Sequence, residues 1–360
     1  MPIIAENHLQ FILEVGVILF AIVFFAINLL PTSISIITLF ALILSVMFAL
    51  LFGIDTALIL IHQQHELVQP FGSIAILSII TAFASLRVME NSGVNVRKLK
   101  TMVMGVTVLI TVLGGLMHRS FLLLWFVGLF VGFLIISKSF RQKSILTLKR
   151  IAMFLGLGVI AFVLLEVLSQ LTHMSIFSPL LRISRIGDNS IASIKMVLQN
   201  TYLIGHNPES TFWKSAGLGF ADGYITLPMS LILMFGLPLP LFFGVLVTKK
   251  DQIDYFLPGI MGYTYDFGYL GLVVLIAFII IVILVGLKLL MLYREKRERN
   301  NKTYLGKEVL LIGSLTAFIS QSLVGLFISN RSINGIALIS FIVLASLVLA
   351  HTISIKREQN

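Results

Sequence analysis

The chain has 360 residues, of which 58% are hydrophobic and 12% are charged, with a formal net charge of +10 and no cysteine. Soluble domains carry about 25% charged residues, so this chain has too little polar surface to fold as a water-soluble globule. The absence of cysteine excludes disulfides, thiolate catalysis and cysteine-ligated metals.

Long apolar runs predict an all-α, polytopic membrane protein, because a spanning helix needs about 20 mostly apolar residues. The runs are continuous, whereas the strands of a membrane β-barrel alternate. They cover residues 9–30, 33–53, 72–89, 99–117, 119–137, 151–172, 267–292, 309–329 and 335–354. The first run follows Glu6 rather than a basic segment, which predicts a retained span. We expect about 9–11 membrane helices in a single transmembrane domain over residues 1–360.

The region 173–266 is expected to be a large external loop region. Lysine and arginine cluster at residues 87–100, 138–150, 294–307 and 356–357, which predicts cytoplasmic connections and leaves both ends of 173–266 outside. Inside this region, Pro238 and Pro240 interrupt the apolar run 224–247 and disfavour a straight helix. We therefore expect a re-entrant or surface-lying segment at 224–247. The alternative, a full span followed by a second one near 252–266, requires a crossing through a short and polar sequence.

The basic clusters are interpreted as an orientation signal that also contacts anionic lipid headgroups, rather than as a nucleic-acid surface. Four arginines instead fall on the predicted external side. They are Arg119, Arg182, Arg185 and Arg331. A guanidinium stays charged and donates paired hydrogen bonds to phosphate, so the group predicts a pocket for a phosphate or pyrophosphate. For any single arginine, snorkelling to a lipid headgroup or capping a helix end is an equal alternative.

Acidic and histidine residues on the same side are candidates for a general base. They are His206, Glu209, Asp222 and Asp266. His206 and Glu209 fall in the turn sequence GHNPES, where a solvated loop charge is the simpler interpretation of either one. Asp266 begins a long apolar span, so it can cap that helix or act in chemistry, and both interpretations stay open.

Metal and cofactor sites are weakly supported by the sequence. His62, His65 and Glu66 have a spacing compatible with metal ligation, but a solvent-exposed external loop is the better interpretation of this segment. No Walker loop, dinucleotide fingerprint or nucleophile elbow occurs, so we expect neither a metal nor a cofactor. Glu166 lies about two turns before the predicted external end of its span and could reach the same cavity as the external charges.

Two segments carry a family resemblance. Residues 256–271 read FLPGIMGYTYDFGYLG, a short external loop leading into an aromatic-Asp-Phe-Gly-x-x-Gly span start at 265–271. Residues 114–132 read GGLMHRSFLLLWFVGLFVG, with glycines before Arg119 at the start of a middle span. With Arg331 between the last two spans, these features resemble the Wzy-type oligosaccharide repeat-unit polymerases of O-antigen, capsule and exopolysaccharide synthesis. The chain departs from that family in having fewer N-terminal spans.

The resemblance implies a metal-independent glycosyltransferase in the bacterial plasma (inner) membrane. Its substrate would be oligosaccharide repeat units linked to undecaprenyl pyrophosphate, polymerised at the outer face. Arginines would stabilise the charge on the departing pyrophosphate, and an external acid or histidine would serve as the base. Expected partners are membrane lipids, a separate flippase and a chain-length regulator, but not nucleic acid.

Two alternatives remain at this point. A ligase that moves the finished chain to another acceptor would use the same donor chemistry. A flippase of the lipid-linked oligosaccharide would instead be expected to show inverted repeats and paired broken helices. Only one broken stretch is evident in the sequence, and the charges gather at one face, which favours an enzyme.

Overall fold

The computed structural model describes residues 33–60, 72–117, 119–140, 195, 197–199, 201–206, 259–298, 303–326 and 336–359, with single positions between 156 and 171. Of these residues, 93% are helical. Within the described ranges, six helices are long and apolar enough to cross a membrane, over Ile34–Ile54, Gly72–Asn91, Arg97–Gly115, Phe121–Ser139, Phe267–Glu298 and Tyr304–Gly325. The prediction of an all-α, multi-pass membrane protein is confirmed.

The secondary-structure elements follow one another in this order. The helices are α1 Ile34–Leu60, α2 Gly72–Asn91, α3 Arg97–Met117, α4 Arg119–Ser139, α5 Gly259–Glu298, α6 Thr303–Ser320 and α7 Ile336–Gln359. Between α4 and α5, strands β1 Thr201–Tyr202 and β2 Gly205–His206 form an antiparallel hairpin in which Thr201 pairs with His206. A π-helical turn, Gln321–Leu326, follows α6.

Two differences between the helix bounds and the apolar runs concern α5 and α6. α5 begins at Gly259 rather than at residue 267, and α6 changes to π-helical geometry at Gln321 inside the predicted run 309–329. The predicted span 9–30 and the predicted re-entrant segment 224–247 lie outside the described residues.

The described residues divide into two compact units. The helix-bundle unit contains α1–α4, residues 290–298 of α5, and α6. The hairpin unit contains the β-hairpin, residues 259–289 of α5, the π-helical turn and α7.

Helix α2 lies at the centre of the helix-bundle unit. Nearly every residue from Gly72 to Val88 is buried, because α1, α3, α4 and α6 all contact this helix. Small residues permit the close approach. A Cβ atom on Gly128 of α4 would come within 2.6 Å of the Ile76 side chain, and Gly132, one turn later, lies against Ile80 in the same way.

Hydrogen bonds also join the helices of this unit. The Trp125 Nε1 group of α4 donates to Thr111 Oγ1 of α3 at 2.8 Å. The Ser320 hydroxyl of α6 donates to the Leu124 carbonyl of α4 at 2.6 Å. Because lipid offers no competing partners, such bonds help to define which helix faces meet.

The hairpin unit is built around α5. Phe278 of α5 and Phe341 of α7 bring their ring centroids to 6.0 Å, and α7 also contacts the π-helical turn. Within that turn, Gly325 leaves room for the side-chain amide of Gln321.

Candidate functional site at the helix break

Helix α5 is broken at Gly268. This residue has φ 74° and ψ −176°, whereas the residues on both sides are helical. A positive φ combined with an extended ψ is accessible almost only to glycine. The sequence therefore places a glycine where the span changes direction, immediately after Tyr265, Asp266 and Phe267.

The β-hairpin of residues 201–206 fills the break. A Cβ atom on Gly268 would lie 2.6 Å from the carbonyl carbon of Leu203 and still closer to the Gly205 nitrogen. The Leu270 amide donates a hydrogen bond to the Leu203 carbonyl at 3.0 Å. A broken helix leaves backbone donors without intrahelical partners, and here the hairpin accepts one of them.

Side-chain hydrogen bonds also hold the hairpin and the residues before it. The Tyr269 hydroxyl donates to the Leu198 carbonyl at 2.7 Å, just before the hairpin. The Thr201 hydroxyl donates to the Val197 carbonyl, also at 2.7 Å. Gly205 has φ 113°, so the second strand too depends on a residue without a Cβ atom. The close contact between the hairpin and α5 is therefore made by backbone atoms of Leu203 and Gly205 on one side and of Gly268 and Leu270 on the other.

Two of the predicted site residues flank this contact. His206 directly follows Gly205, and Asp266 stands two residues before Gly268. The backbones of His206 and Asp266 are therefore brought to the same place, although 60 positions separate them in the sequence. Asp266 belongs to the helical turn that precedes the break, so the residue at the junction with the following helix is Gly268 rather than Asp266.

The other predicted residues belong to the helix-bundle unit or lie outside the described residues. Arg119 is the first residue of α4 in the helix-bundle unit. The remaining candidates lie outside the described residues. They are Arg182, Arg185, Glu209, Asp222 and Arg331, together with His62, His65 and Glu66. Glu166 is described and partly buried.

The chemistry available at the break is that of polar backbone beside titratable residues. A helix that restarts after Gly268 presents its N-terminal amides and the positive end of its dipole there, and such an end favours negative charge. Histidine and aspartate are residue types that can exchange a proton, and the backbones of His206 and Asp266 flank the contact. Among the described residues, no group of three or more His, Cys, Asp or Glu could hold a metal ion.

A second polar cluster, in the helix-bundle unit, was missed by the sequence analysis. Glu308 of α6 has a fully buried side chain, and its Oε2 atom accepts a hydrogen bond from Arg297 Nη1 at 2.7 Å. Arg297 also donates to the Ser139 carbonyl at 2.7 Å, and Arg294 donates to the Lys138 carbonyl at 2.8 Å.

This cluster joins the ends of three helices. The last carbonyls of α4 have no intrahelical donors. The guanidinium groups of Arg294 and Arg297, at the end of α5, donate hydrogen bonds to two of these carbonyls. The Arg297 guanidinium also lies 5.0 Å from the centre of the Phe140 ring. The basic cluster at 294–307 was predicted to set orientation and to contact lipid headgroups. Arg294 and Arg297 of this cluster bind protein groups. The signal that could have revealed them was the acid at position 308, immediately before the apolar run 309–329.

No protein-family model, no curated protein and no solved structure matches this chain.

Proposed function

We propose that the chain is a glycosyltransferase of the outer face of the bacterial plasma membrane. It polymerises oligosaccharide repeat units linked to undecaprenyl pyrophosphate into a surface polysaccharide. The observation that carries the proposal is the backbone contact between Gly205 and Gly268, which gathers His206 and Asp266 at one end of a membrane span.

The position of this contact suits a lipid-linked substrate. Gly268 lies at the beginning of the span Phe267–Glu298, whose other end carries Lys296 and Arg297. Because basic residues favour the cytoplasmic side, the broken end belongs at the external face. A pyrophosphate attached to a polyprenyl chain sits at headgroup level, and the sugars it carries extend into water.

The reaction is a substitution at the anomeric carbon of the donor. A hydroxyl of the acceptor unit forms the new C–O bond while the bond from the anomeric carbon to the pyrophosphate oxygen breaks. The acceptor proton passes to His206 or Asp266, and the electron pair leaves with the lipid pyrophosphate. Arg119, Arg182, Arg185 and Arg331 are proposed to stabilise the charge on that leaving group.

The test is an assay of purified protein in nanodiscs with lipid-linked repeat units, read as a ladder of product lengths. Loss of a general base typically slows a reaction about 10²–10⁴-fold. We expect a loss of this size for either His206→Ala or Asp266→Asn, whichever residue is the base. Arg119→Ala is expected to lower the rate as well, because charge on the leaving group would no longer be neutralised.

Matched controls come from exposed cations. Arg97 is the first residue of its helix, as Arg119 is of α4, and the Arg97 side chain is exposed. Lys195 is an exposed cation in the external region. Arg97→Ala and Lys195→Ala should leave the ladder unchanged. Full-length ladders from both His206→Ala and Asp266→Asn would overturn the proposed base.

The alternatives give different cellular results. In a deletion strain, a polymerase defect leaves single repeat units on the outer surface. Loss of those single units would indicate a flippase. Polymer of normal length that remains on its lipid carrier would indicate a ligase.

A further inference from the structure

The tip of the hairpin exposes three consecutive large hydrophobic residues. Tyr202, Leu203 and Ile204 are 56%, 66% and 53% exposed, respectively. Exposure of this tip to water is unfavourable, because burying a large apolar side chain lowers the free energy by about 1.5–3 kcal/mol relative to leaving it exposed. The hairpin is nevertheless held in place by the Leu270, Tyr269 and Thr201 hydrogen bonds described above. The exposed residues are therefore presented by a fixed backbone.

The tip is continuous with a lipid-facing surface of α5. Leu203 accepts the hydrogen bond of Leu270, which is itself 51% exposed. Val273 and Val274, in the next turn, are 62% and 45% exposed. All three of these α5 residues belong to the candidate membrane span Phe267–Glu298, and exposed apolar groups inside the hydrocarbon part of a span face acyl chains.

The helix length indicates the depth of the tip. About 20 residues cross a hydrocarbon core of about 30 Å. If the core ends just before Arg294, the first basic residue of the cluster at the far end of α5, its other boundary lies near residue 273. Leu270 then lies about 5 Å beyond that boundary, since an α-helix rises about 1.5 Å per residue. This depth is the interface between headgroups and acyl chains.

We infer that the hairpin tip Tyr202–Leu203–Ile204 inserts into the bilayer interface at the Phe267 end of the membrane span Phe267–Glu298. An apolar tip with a tyrosine suits this layer, because the ring is apolar and its hydroxyl remains hydrated. Insertion would hold His206 at a fixed height above the hydrocarbon. The inference depends on the exposure and the contacts of the hairpin, and not on the proposed reaction.

The absence of cysteine from the chain makes a direct test possible. A nitroxide is attached to Ile204→Cys in vesicles of phosphatidylcholine and phosphatidylglycerol. Its collision rates with oxygen, which concentrates in lipid, and with a water-soluble nickel chelate are measured by power saturation. Ser92→Cys, in the exposed turn after α2, is the aqueous control, and Ile281→Cys, exposed in the middle of α5, is the deep control.

We expect the ratio of oxygen to nickel collisions at position 204 to fall between those of the two controls. A ratio equal to that of position 92 would place the tip in water and overturn the inference. Low collision rates with both reagents would show that protein covers the tip, which would overturn it as well. Tyr202→Cys provides the same test if the first variant does not fold. An interfacial tip combined with a failed polymerisation assay would refute only the proposed function.

Discussion

Replacing Gly268 by alanine tests whether the hairpin and the helix break form one structure. The substituted residue would have to hold φ 74° and ψ −176°, a conformation that costs a non-glycine residue about 1–3 kcal/mol. Its Cβ atom would also lie 2.6 Å from the Leu203 carbonyl carbon, so the hairpin must move. Movement breaks the hydrogen bond from Leu270, which contributes about 1 kcal/mol.

The expected loss in the free energy of unfolding is therefore about 2–4 kcal/mol. It is measured by SDS titration in mixed micelles. Gly105→Ala is the matched control, because Gly105 lies in helix α3 with nothing within 4 Å of an added Cβ atom. That change should be neutral or stabilise the helix by about 0.5–1 kcal/mol.

A second substitution tests the contact itself. Gly205→Ala should also destabilise, since Gly205 has φ 113°. Because both glycines serve one backbone contact, the double variant should lose less than the sum of the single losses, by more than about 0.5 kcal/mol. A Gly268→Ala protein within about 0.5 kcal/mol of the parent would refute this account of the break.

Three further predictions concern the helix-bundle unit, and each is measured by the same titration. Arg297→Ala should cost about 3–5 kcal/mol, because it leaves the buried carboxylate of Glu308 without its cation. Trp125→Phe should cost about 1 kcal/mol through loss of the hydrogen bond to Thr111. Gly128→Val should cost at least about 1–3 kcal/mol by forcing α4 away from α2.

Controls exist for each of these changes. Arg87 and Glu90 form an ion pair at 2.6 Å with side chains 34% and 39% exposed, so Arg87→Ala should cost less than about 1 kcal/mol. An equal cost for Arg297→Ala would contradict the buried-pair argument. Phe130→Leu, at an exposed position of α4, is a neutral reference for the tryptophan and glycine variants. A Gly128→Val protein as stable as this reference would contradict close packing of α2 and α4.

The sequence predicts most of the membrane helices because a segment that crosses lipid must be apolar along its length. The run 33–53 became α1, 72–89 became α2 and 119–137 became α4, with each helix somewhat longer than its run. The extra residues of α2 and α4 are polar, namely Glu90, Asn91, Lys138 and Ser139, whereas the extension of α1 over 54–60 is mostly apolar. Apolarity alone therefore cannot define those ends.

The candidate site was only partly predictable. The aromatic-Asp-Phe-Gly-x-x-Gly motif at 265–271 indicates Asp266, and the turn sequence GHNPES indicates His206, but nothing in the sequence joins the two residues. Their association depends on a backbone contact between Gly205 and Gly268, and two glycines carry no side-chain pattern from which pairing could be inferred. The buried pair of Arg297 and Glu308 could not be predicted, because a basic cluster at a helix end has the same sequence pattern whether its side chains are buried or in water.

The central position of α2 has a consequence for biogenesis. About 210 residues separate the end of α2 from the start of its neighbour α6, which at 5–20 residues per second corresponds to roughly 10–40 s of synthesis. During that interval α2 lacks one of its neighbours. Two of its hydroxyl groups are paired within the helix itself, since Ser78 and Ser85 donate to the Ala75 and Ala82 carbonyls. A helix that protein encloses in the folded chain must therefore also be stable with one side facing lipid, which limits how polar that side can become.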